Sequence, residues 1–364
     1  MATHTFSKPT SPAFNPRQIL STEQLSQLNQ RSNLAGSLRL VCHLLILCVS
    51  GYVWGLAAGG LSWLALPIYG ASLAFMFCAV HECVHRTAFA STRLNDAIAW
   101  FAGLLSFYNS TFYRRYHKWH HRYTRVAGKD PELSDLTPEN MAQYLWVLSG
   151  LPWWKGKIIG HIKVALGQLD GCFYLPESAH ATVIRSTRLQ LAAYGAIALL
   201  SISLGYPLWL ITYWLLPLAI GQPFLRFVLL AEHTGCAYGD NALANTRTTR
   251  TYWPLRLLMW NMPYHAEHHL YPSIPFHALP ATHQQLKDNF IHIDTGYCRV
   301  NRALISKFNT NAFPDTRKTD IYQTDTYQTN IYQTDIYQTN TYQTDIYKPS
   351  TKQTSSKQPI TKQI

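Results

Sequence analysis

The sequence predicts an all-α integral membrane protein, with four transmembrane helices arranged as two hairpins and a cytoplasmic helical cap that holds a histidine-rich site. Three observations carry this reading. Residues 40 to 80 and 189 to 225 contain no Asp, Glu, Lys or Arg. Only 14% of the 364 residues are charged, against about a quarter in ordinary soluble domains. Eight of the sixteen histidines fall into three compact clusters. The mean hydropathy of −0.09 averages these apolar runs with a polar tail.

Residues 1–35 read as a polar cytoplasmic arm without the short apolar segment of a cleavable signal peptide. The first uncharged run is about twice the ~20 residues that cross a bilayer as one helix. Gly59-Gly60 breaks it, giving spans near 38–58 and 61–80. Gly205-Tyr206-Pro207 divides the second run, so its first arm, from 189, is short and Arg188 must reach back to the interface. The two turns carry no charge, whereas the 86–188 connection holds 13 Lys+Arg and 7 Asp+Glu. The positive-inside rule therefore places that connection and both termini in the cytoplasm. Tyr52, Trp54, Trp63, Tyr206 and Trp209 flank the turns as an interfacial aromatic belt does. Apolar stretches 97–107 and 144–154 are too short to span and predict helices lying on the cytoplasmic face. The membrane domain then covers 36–307. From 308 to 364 the composition predicts a disordered tail, with six pentapeptide repeats of the TDIYQ type over 319–348.

The seven cysteines include no CxxC pair and mostly sit in or beside apolar runs, which predicts neither a disulfide framework nor a thiolate metal site. The chemistry rests on histidine. His81-Glu82-Cys83-Val84-His85, His117-Lys118-Trp119-His120-His121 and His265-Ala266-Glu267-His268-His269 carry imidazoles at i, i+3 and i+4, spacings that share one helix face. The predicted topology brings all three clusters out on one side of the membrane, together with His233 at the exit of the last span. Imidazole binds Fe, Zn, Cu and Ni. Nine imidazoles exceed what one tetrahedral metal uses, so the count predicts two metals. His43, His4, His161, His180, His277, His283 and His292 lie outside the clusters and are expected to be packed or hydrogen-bonded. Glu82 and Glu267 lie between ligands and are expected to support them rather than bind metal.

HECVH, HKWHH and HAEHH, placed around two apolar hairpins, resemble the membrane fatty acid desaturase and hydroxylase superfamily. So do Asp130-Pro131-Glu132 and the WNMPYHAEHHLYPSIPFHALP stretch. The resemblance covers roughly residues 38–290. It implies a non-haem centre of two Fe ions that uses O₂ and two electrons to remove hydrogens from an unactivated alkyl chain. Carried over residue by residue, His81, His85, His117, His120, His121, His265, His268 and His269 match the three histidine boxes. His233 matches the additional histidine after the last span, and Asn261 is a candidate for a supporting contact or water near the metals. An acyl-lipid or acyl-thioester substrate is implied. With no His-Pro-Gly-Gly haem signature in the sequence, electrons would come from a separate ferredoxin or cytochrome b5. His265 stands where front-end desaturases commonly have Gln, and HECVH is closer to acyl-lipid and methyl-end members. Hydroxylases and ketolases acting on carotenoids, sphingolipids or alkyl chains share the same boxes.

Two rivals come from other classes. HECVH also satisfies the H-E-x-x-H pattern of zinc peptidases, with Glu82 as base, and Leu169-Asp170-Gly171 mimics a third-ligand motif; this leaves the other two clusters unexplained. A metal or proton transporter would carry its ionisable groups near the bilayer midplane, whereas these sit at the ends of spans. The basic, aromatic stretch Arg114–Arg122 has the composition of a nucleic-acid patch, but beside membrane spans it reads as an anchor or as a docking face for an acidic electron donor.

Overall fold

The computed structural model describes residues 18–56 and 59–308. His4, with residues 1–17 of the N-terminal arm, and the repeat tail lie outside them. The described chain runs through α1 (Thr22–Leu28), α2 (Asn33–Gly55), α3 (Gly60–Val84), α4 (Thr92–Ser106), α5 (Ser110–Tyr123), α6 (Met141–Leu148) and α7 (Leu151–Ala165). It continues through α8 (Glu177–Ser203), α9 (Leu216–His233), α10 (Trp253–Leu258), α11 (His265–Leu270), α12 (Leu279–Leu286) and α13 (Tyr297–Ile305). Two three-residue strands, β1 (Thr248–Arg250) and β2 (Ile293–Thr295), pair in parallel. This small sheet is absent from the all-α expectation. Its β-branched residues suit a pleated ladder, but a three-residue strand leaves too short a pattern to read.

Three described helices are long and apolar enough to cross a membrane: Asn33–Gly55, Gly60–Val84, and Ile211–His233, in which one π-turn leads into α9. The first pair is the expected hairpin, broken at Gly59, whose φ of 84° favours glycine. Large apolar side chains of α2 at Leu34, Leu38, Val41, Leu45, Val49 and Tyr52 form an exposed stripe, an outward face suited to lipid.

The expected span from 189 differs. It forms the second half of α8 and falls short of the other three, because Arg185 and Arg188 precede it and Gln190 is used inside the protein. Gln190 Nε2 donates to Tyr194 Oη at 2.9 Å and its Oε1 accepts from Asn109 Nδ2 at 3.0 Å, fastening α8 to the α4–α5 junction.

α3 is the central element, packed by α2, α4 and α9 and buried on nearly every side over its second half. It runs parallel to α9, and the two backbones meet at Gly70 and Gly221: a Cβ built on Gly70 would lie 2.3 Å from the Pro217 carbonyl oxygen. Only glycine permits so close a crossing. Both helices then carry their C-terminal ends, with His81 and His233, to the same place. The 97–107 and 144–154 stretches fold as α4 and as the α6–α7 pair, which Gly150 separates at a φ of 74°.

Candidate metal centre

Each histidine-bearing element has a local reason for its shape. Asn109 caps α5 by accepting the Phe112 N–H at 2.9 Å, and the helix that follows places His117, His120 and His121 one turn apart on its inner face. The short α11 owes its position to its neighbours. Trp260 and Asn261, just before it, hold left-handed φ values of 51° and 58°, a conformation that costs ordinary residues about 1 kcal/mol or more. Two contacts hold that turn. Trp260 Nε1 donates to His43 Nδ1 at 3.2 Å, and Asn261 Nδ2 donates to the Phe276 carbonyl at 2.9 Å. Asn261, a candidate for a supporting contact or water near the metals, uses its amide to brace the backbone that delivers His265–His269. His43, with its Nε2 on the Ser72 carbonyl at 2.9 Å, is hydrogen-bonded as expected.

The nine predicted histidines converge. His81, His85, His117, His121 and His268 bring one ring nitrogen each within 4.8 Å of one another, and His120, His233 and His269 form a second such group. His265 stands beside the second, its Nε2 3.2 Å from His233 Nε2 and 3.4 Å from Glu232 Oε2. Six of the nine (His81, His117, His120, His265, His268 and His269) are almost wholly buried. Burial, reinforced by neighbouring rings, drives His117, His121, His265, His268 and His269 well below the usual histidine range, and His85 to about 3. These rings are neutral at pH 7, the form that binds a metal.

Whether the donors suit metals is answered by what they lack. The buried Nε2 atoms of His81, His85 and His269 have no hydrogen-bond partner. Nε2 of His121 lies 3.0 Å from Nε2 of His117 and 3.1 Å from Nε2 of His268. Buried polar atoms are ordinarily paired, and lone pairs aimed at one another need a cation between them. Imidazole–metal bonds of about 2.0–2.1 Å would separate ligand nitrogens by roughly 3–4 Å, which matches. Five donors and three donors fit two metals rather than one.

The second group is oriented from behind. His120 Nδ1 lies 2.9 Å from Asp130 Oδ1, His233 Nδ1 lies 3.1 Å from the Asn245 carbonyl, and His269 Nδ1 lies 3.0 Å from Thr124 Oγ1. Thr124 donates its own proton to the His120 carbonyl at 2.8 Å, so it accepts from His269. Each ring therefore donates from Nδ1 and turns its Nε2 inward. Although burial alone would lower it, the carboxylates of Glu132 and Asp130 raise the His120 pKa. Asp130 is fixed in turn by the Arg125 and Glu132 backbone N–H groups at 2.7 and 3.0 Å. Asp130→Asn is expected to weaken metal binding at this group by about 10- to 100-fold while the protein stays folded, as measured by iron retained after dialysis against a chelator.

Glu267, fully buried, accepts from His283 Nδ1 at 2.5 Å and from the Thr248 hydroxyl, and the Ala266 N–H donates to Thr248 Oγ1 at 3.2 Å. This network ties α11 to α12 and β1. His283, expected only to be packed or hydrogen-bonded, is the hidden support of the third cluster. Glu82 Oε1 accepts from the Thr87 hydroxyl at 2.5 Å and from the Phe276 N–H at 3.0 Å; the carboxylate is held by a side chain and a backbone amide, where a peptidase base would face a metal-bound water. Beside the cluster lies a cavity of about 450 Å³, reached by His81, His117, His120, His233 and His265 and walled by Phe77, Tyr113 and Met262.

The family model described as "Fatty acid desaturase" matches residues 18–300. The chain belongs to this family. A sphingolipid delta(4)-desaturase DES1-like protein of Arabidopsis thaliana is 26% identical over 212 residues, 56% of this chain and 57% of that protein. Dihydrorhizobitoxine desaturase of Bradyrhizobium elkanii is 25% identical over 76% of this chain and 81% of its own length. Sphingolipid delta(4)-desaturase/C4-monooxygenase DES2 of Homo sapiens is 26% identical over 67% and 72%. The chain thus spans little more than half of the first of these relatives and larger parts of the other two. Membership of the desaturase family and three helices of spanning length and apolarity mark it as a membrane protein.

Proposed function

We propose that the protein is an O₂-dependent di-iron desaturase that introduces a double bond into a lipid acyl chain. One observation carries this: two groups of inward-facing histidines meet at the wall of a cavity that Phe77, Tyr113 and Met262 help to line. Two irons bound there would supply the O₂-activating redox chemistry that an unactivated C–H bond requires and that no side chain provides. In the overall reaction two adjacent carbons each lose a hydrogen, and O₂, with two electrons and two protons from outside, becomes two waters. The chain's own residues orient the ligand rings from behind through Asp130, Asn245 and Thr124, wall the reacting carbons with Phe77, Tyr113 and Met262, and exclude bulk water from the buried rings.

The proposal extends to all nine histidines as ligands and to four spans. The apolar half of α8 serves as the third span, with Ile197, Leu199, Leu200 and Ile202 exposed toward lipid. Positive-inside charge then puts both termini and the histidines in the cytoplasm. There a separate ferredoxin or cytochrome b5 would deliver electrons. Sphingolipid and acyl-thioester substrates both suit an enzyme of this kind. Hydroxylation is the second reading, favoured by the name of the human relative, which joins desaturase with C4-monooxygenase; the outcome depends on where the alkyl chain is held relative to the site.

The test is a lipid profile, by gas chromatography and mass spectrometry, of a host expressing the intact chain beside the His120→Ala variant. A new unsaturated acyl species with the intact chain alone is the expected result. A hydroxylated product, or altered carotenoids with unchanged acyl chains, moves the function to the second reading.

A further inference from the structure

The cavity that reaches the histidines also holds a group of hydrogen-bond donors that the proposed chemistry does not use. Arg226 lies within the third apolar helix, where a charged side chain is costly and calls for a partner. Its Nη2 donates to Tyr108 Oη at 3.2 Å, its guanidinium lies 5.6 Å from the Trp153 ring centre, and its buried Nε has no partner. Trp153 Nε1 donates to the same Tyr108 oxygen at 3.0 Å. Lys157 Nζ stands 3.9 Å above the Tyr108 ring. Among the described residues no carboxylate comes within 4.0 Å of Arg226 or Lys157.

Four side chains therefore bring donors to one place with no carboxylate in ion-pair contact, while Asp135 and Glu132 act on Lys157 and Arg226 from farther off. The Tyr108 oxygen accepts twice and its own O–H has no acceptor among the described residues. One turn earlier on the same helix, Gln222 is fully buried with both amide atoms unpartnered. Burial, followed by the neighbouring Arg226, pushes the Lys157 pKa down to about 8, and the more distant Asp135 and Glu132 only partly oppose this. Of the four carboxylates that line the cavity, Asp130 is held on His120 Nδ1 at 2.9 Å and Glu232 lies 3.4 Å from His265 Nε2. Glu132 lies 3.5 Å from His120 Nε2, and Asp135 is exposed.

We propose that Arg226, Lys157 and Tyr108 form a subsite for an anionic group, a carboxylate or a phosphate, at one end of the substrate. The guanidinium fork and the ammonium suit the oxygens of either group. Arg226 and His233 both line the cavity and are seven residues apart on one helix, roughly 10 Å at ~1.5 Å per residue. Leu229 and Leu230 lie between them on the cavity wall. An anion held at Arg226 would thus lay its alkyl chain along α9 and set which carbons reach the histidines, so the position of reaction is counted from the charged end. This deepens the proposed function and rests on it for the reaction, though not for the binding.

Calorimetric titration of the purified intact chain in lipid nanodiscs with octanoate, octyl phosphate and octanol tests the subsite without requiring turnover. Octanoate or octyl phosphate is expected to bind at least tenfold more tightly than octanol, the scale of about 1.4 kcal/mol or more that hydrogen bonds to charged groups contribute. The tighter of the two anions identifies the headgroup chemistry. Arg226→Gln and Lys157→Met should each remove most of that preference while leaving octanol affinity and bound iron unchanged. Equal binding of anions and octanol by the intact chain would overturn the proposal, as would a preference that survives both substitutions. An intact chain that prefers anions yet binds no iron would instead overturn the di-iron reading and leave the subsite standing.

Discussion

Alanine at His81, His120 or His268 is expected to abolish the lipid product while leaving membrane insertion intact, and the three variants should differ in the metal they keep. His81 and His268 belong to the five-donor group, so either variant retains four imidazoles there, enough in number for a tetrahedral site. His120 belongs to the three-donor group, in which two imidazoles and the neighbouring His265 would remain. Iron per chain should therefore fall furthest in His120→Ala, toward one, with His81→Ala and His268→Ala losing less metal though no less activity. Elemental analysis of the purified variants beside product assays separates the cases. Full activity in all three would show that these rings are not the metal ligands.

The second large effect is expected far from the chemistry. Gly221→Ala should destabilise the protein even though alanine is the better helix former by about 1 kcal/mol. A Cβ at 221 would overlap the Gly70 carbonyl, and backbone cannot move aside as a flexible side chain does. Forcing two packed helices apart costs about 1–3 kcal/mol or more, so the clash outweighs the propensity gain. The crossing lies eleven residues before His81 on α3 and twelve before His233 on α9, a lever of roughly 17 Å. A change of roughly 10° in crossing angle would move the two ends about 3 Å apart, more than the length of a histidine–metal bond. Gly221→Ala should thus lower the unfolding temperature and the bound iron together. Gly195→Ala on α8, where an added Cβ meets nothing within 4 Å, should leave both unchanged or slightly improved. Equal behaviour of the two variants in thermal unfolding would contradict this account of the crossing.

What could be read beforehand and what could not divides by range. His117, His120 and His121 are legible because α-helical spacing is local, and the Gly59 turn because glycine marks it. His233, in no cluster, is placed by topology. The supports are another matter. Asp130 is ten residues from His120, Thr124 is 145 from His269, and His283 is sixteen from Glu267. No spacing rule links such pairs, and His283 in isolation has the sequence environment of any packed histidine. Asn261, singled out by its nearness to His265 in sequence as a candidate for a supporting contact or water near the metals, gives its amide to Phe276 from the left-handed turn it occupies. The span expected from 189 looked apolar by composition, yet Gln190 at its start is spent on contacts with Asn109 and Tyr194 that no hydropathy count registers. Arg226 passed as the end of an apolar run, and only its meeting with Tyr108, Trp153 and Lys157 shows it as part of a donor cluster.

The metal content of the intact chain, purified from iron- and zinc-supplied cells and measured by inductively coupled plasma mass spectrometry, tests the central claim most directly. Two groups of inward-facing histidines predict close to two irons per chain and little zinc. A single zinc per chain, with no iron, would contradict the two-metal reading and return His81-Glu82-Cys83-Val84-His85 to the zinc peptidase pattern.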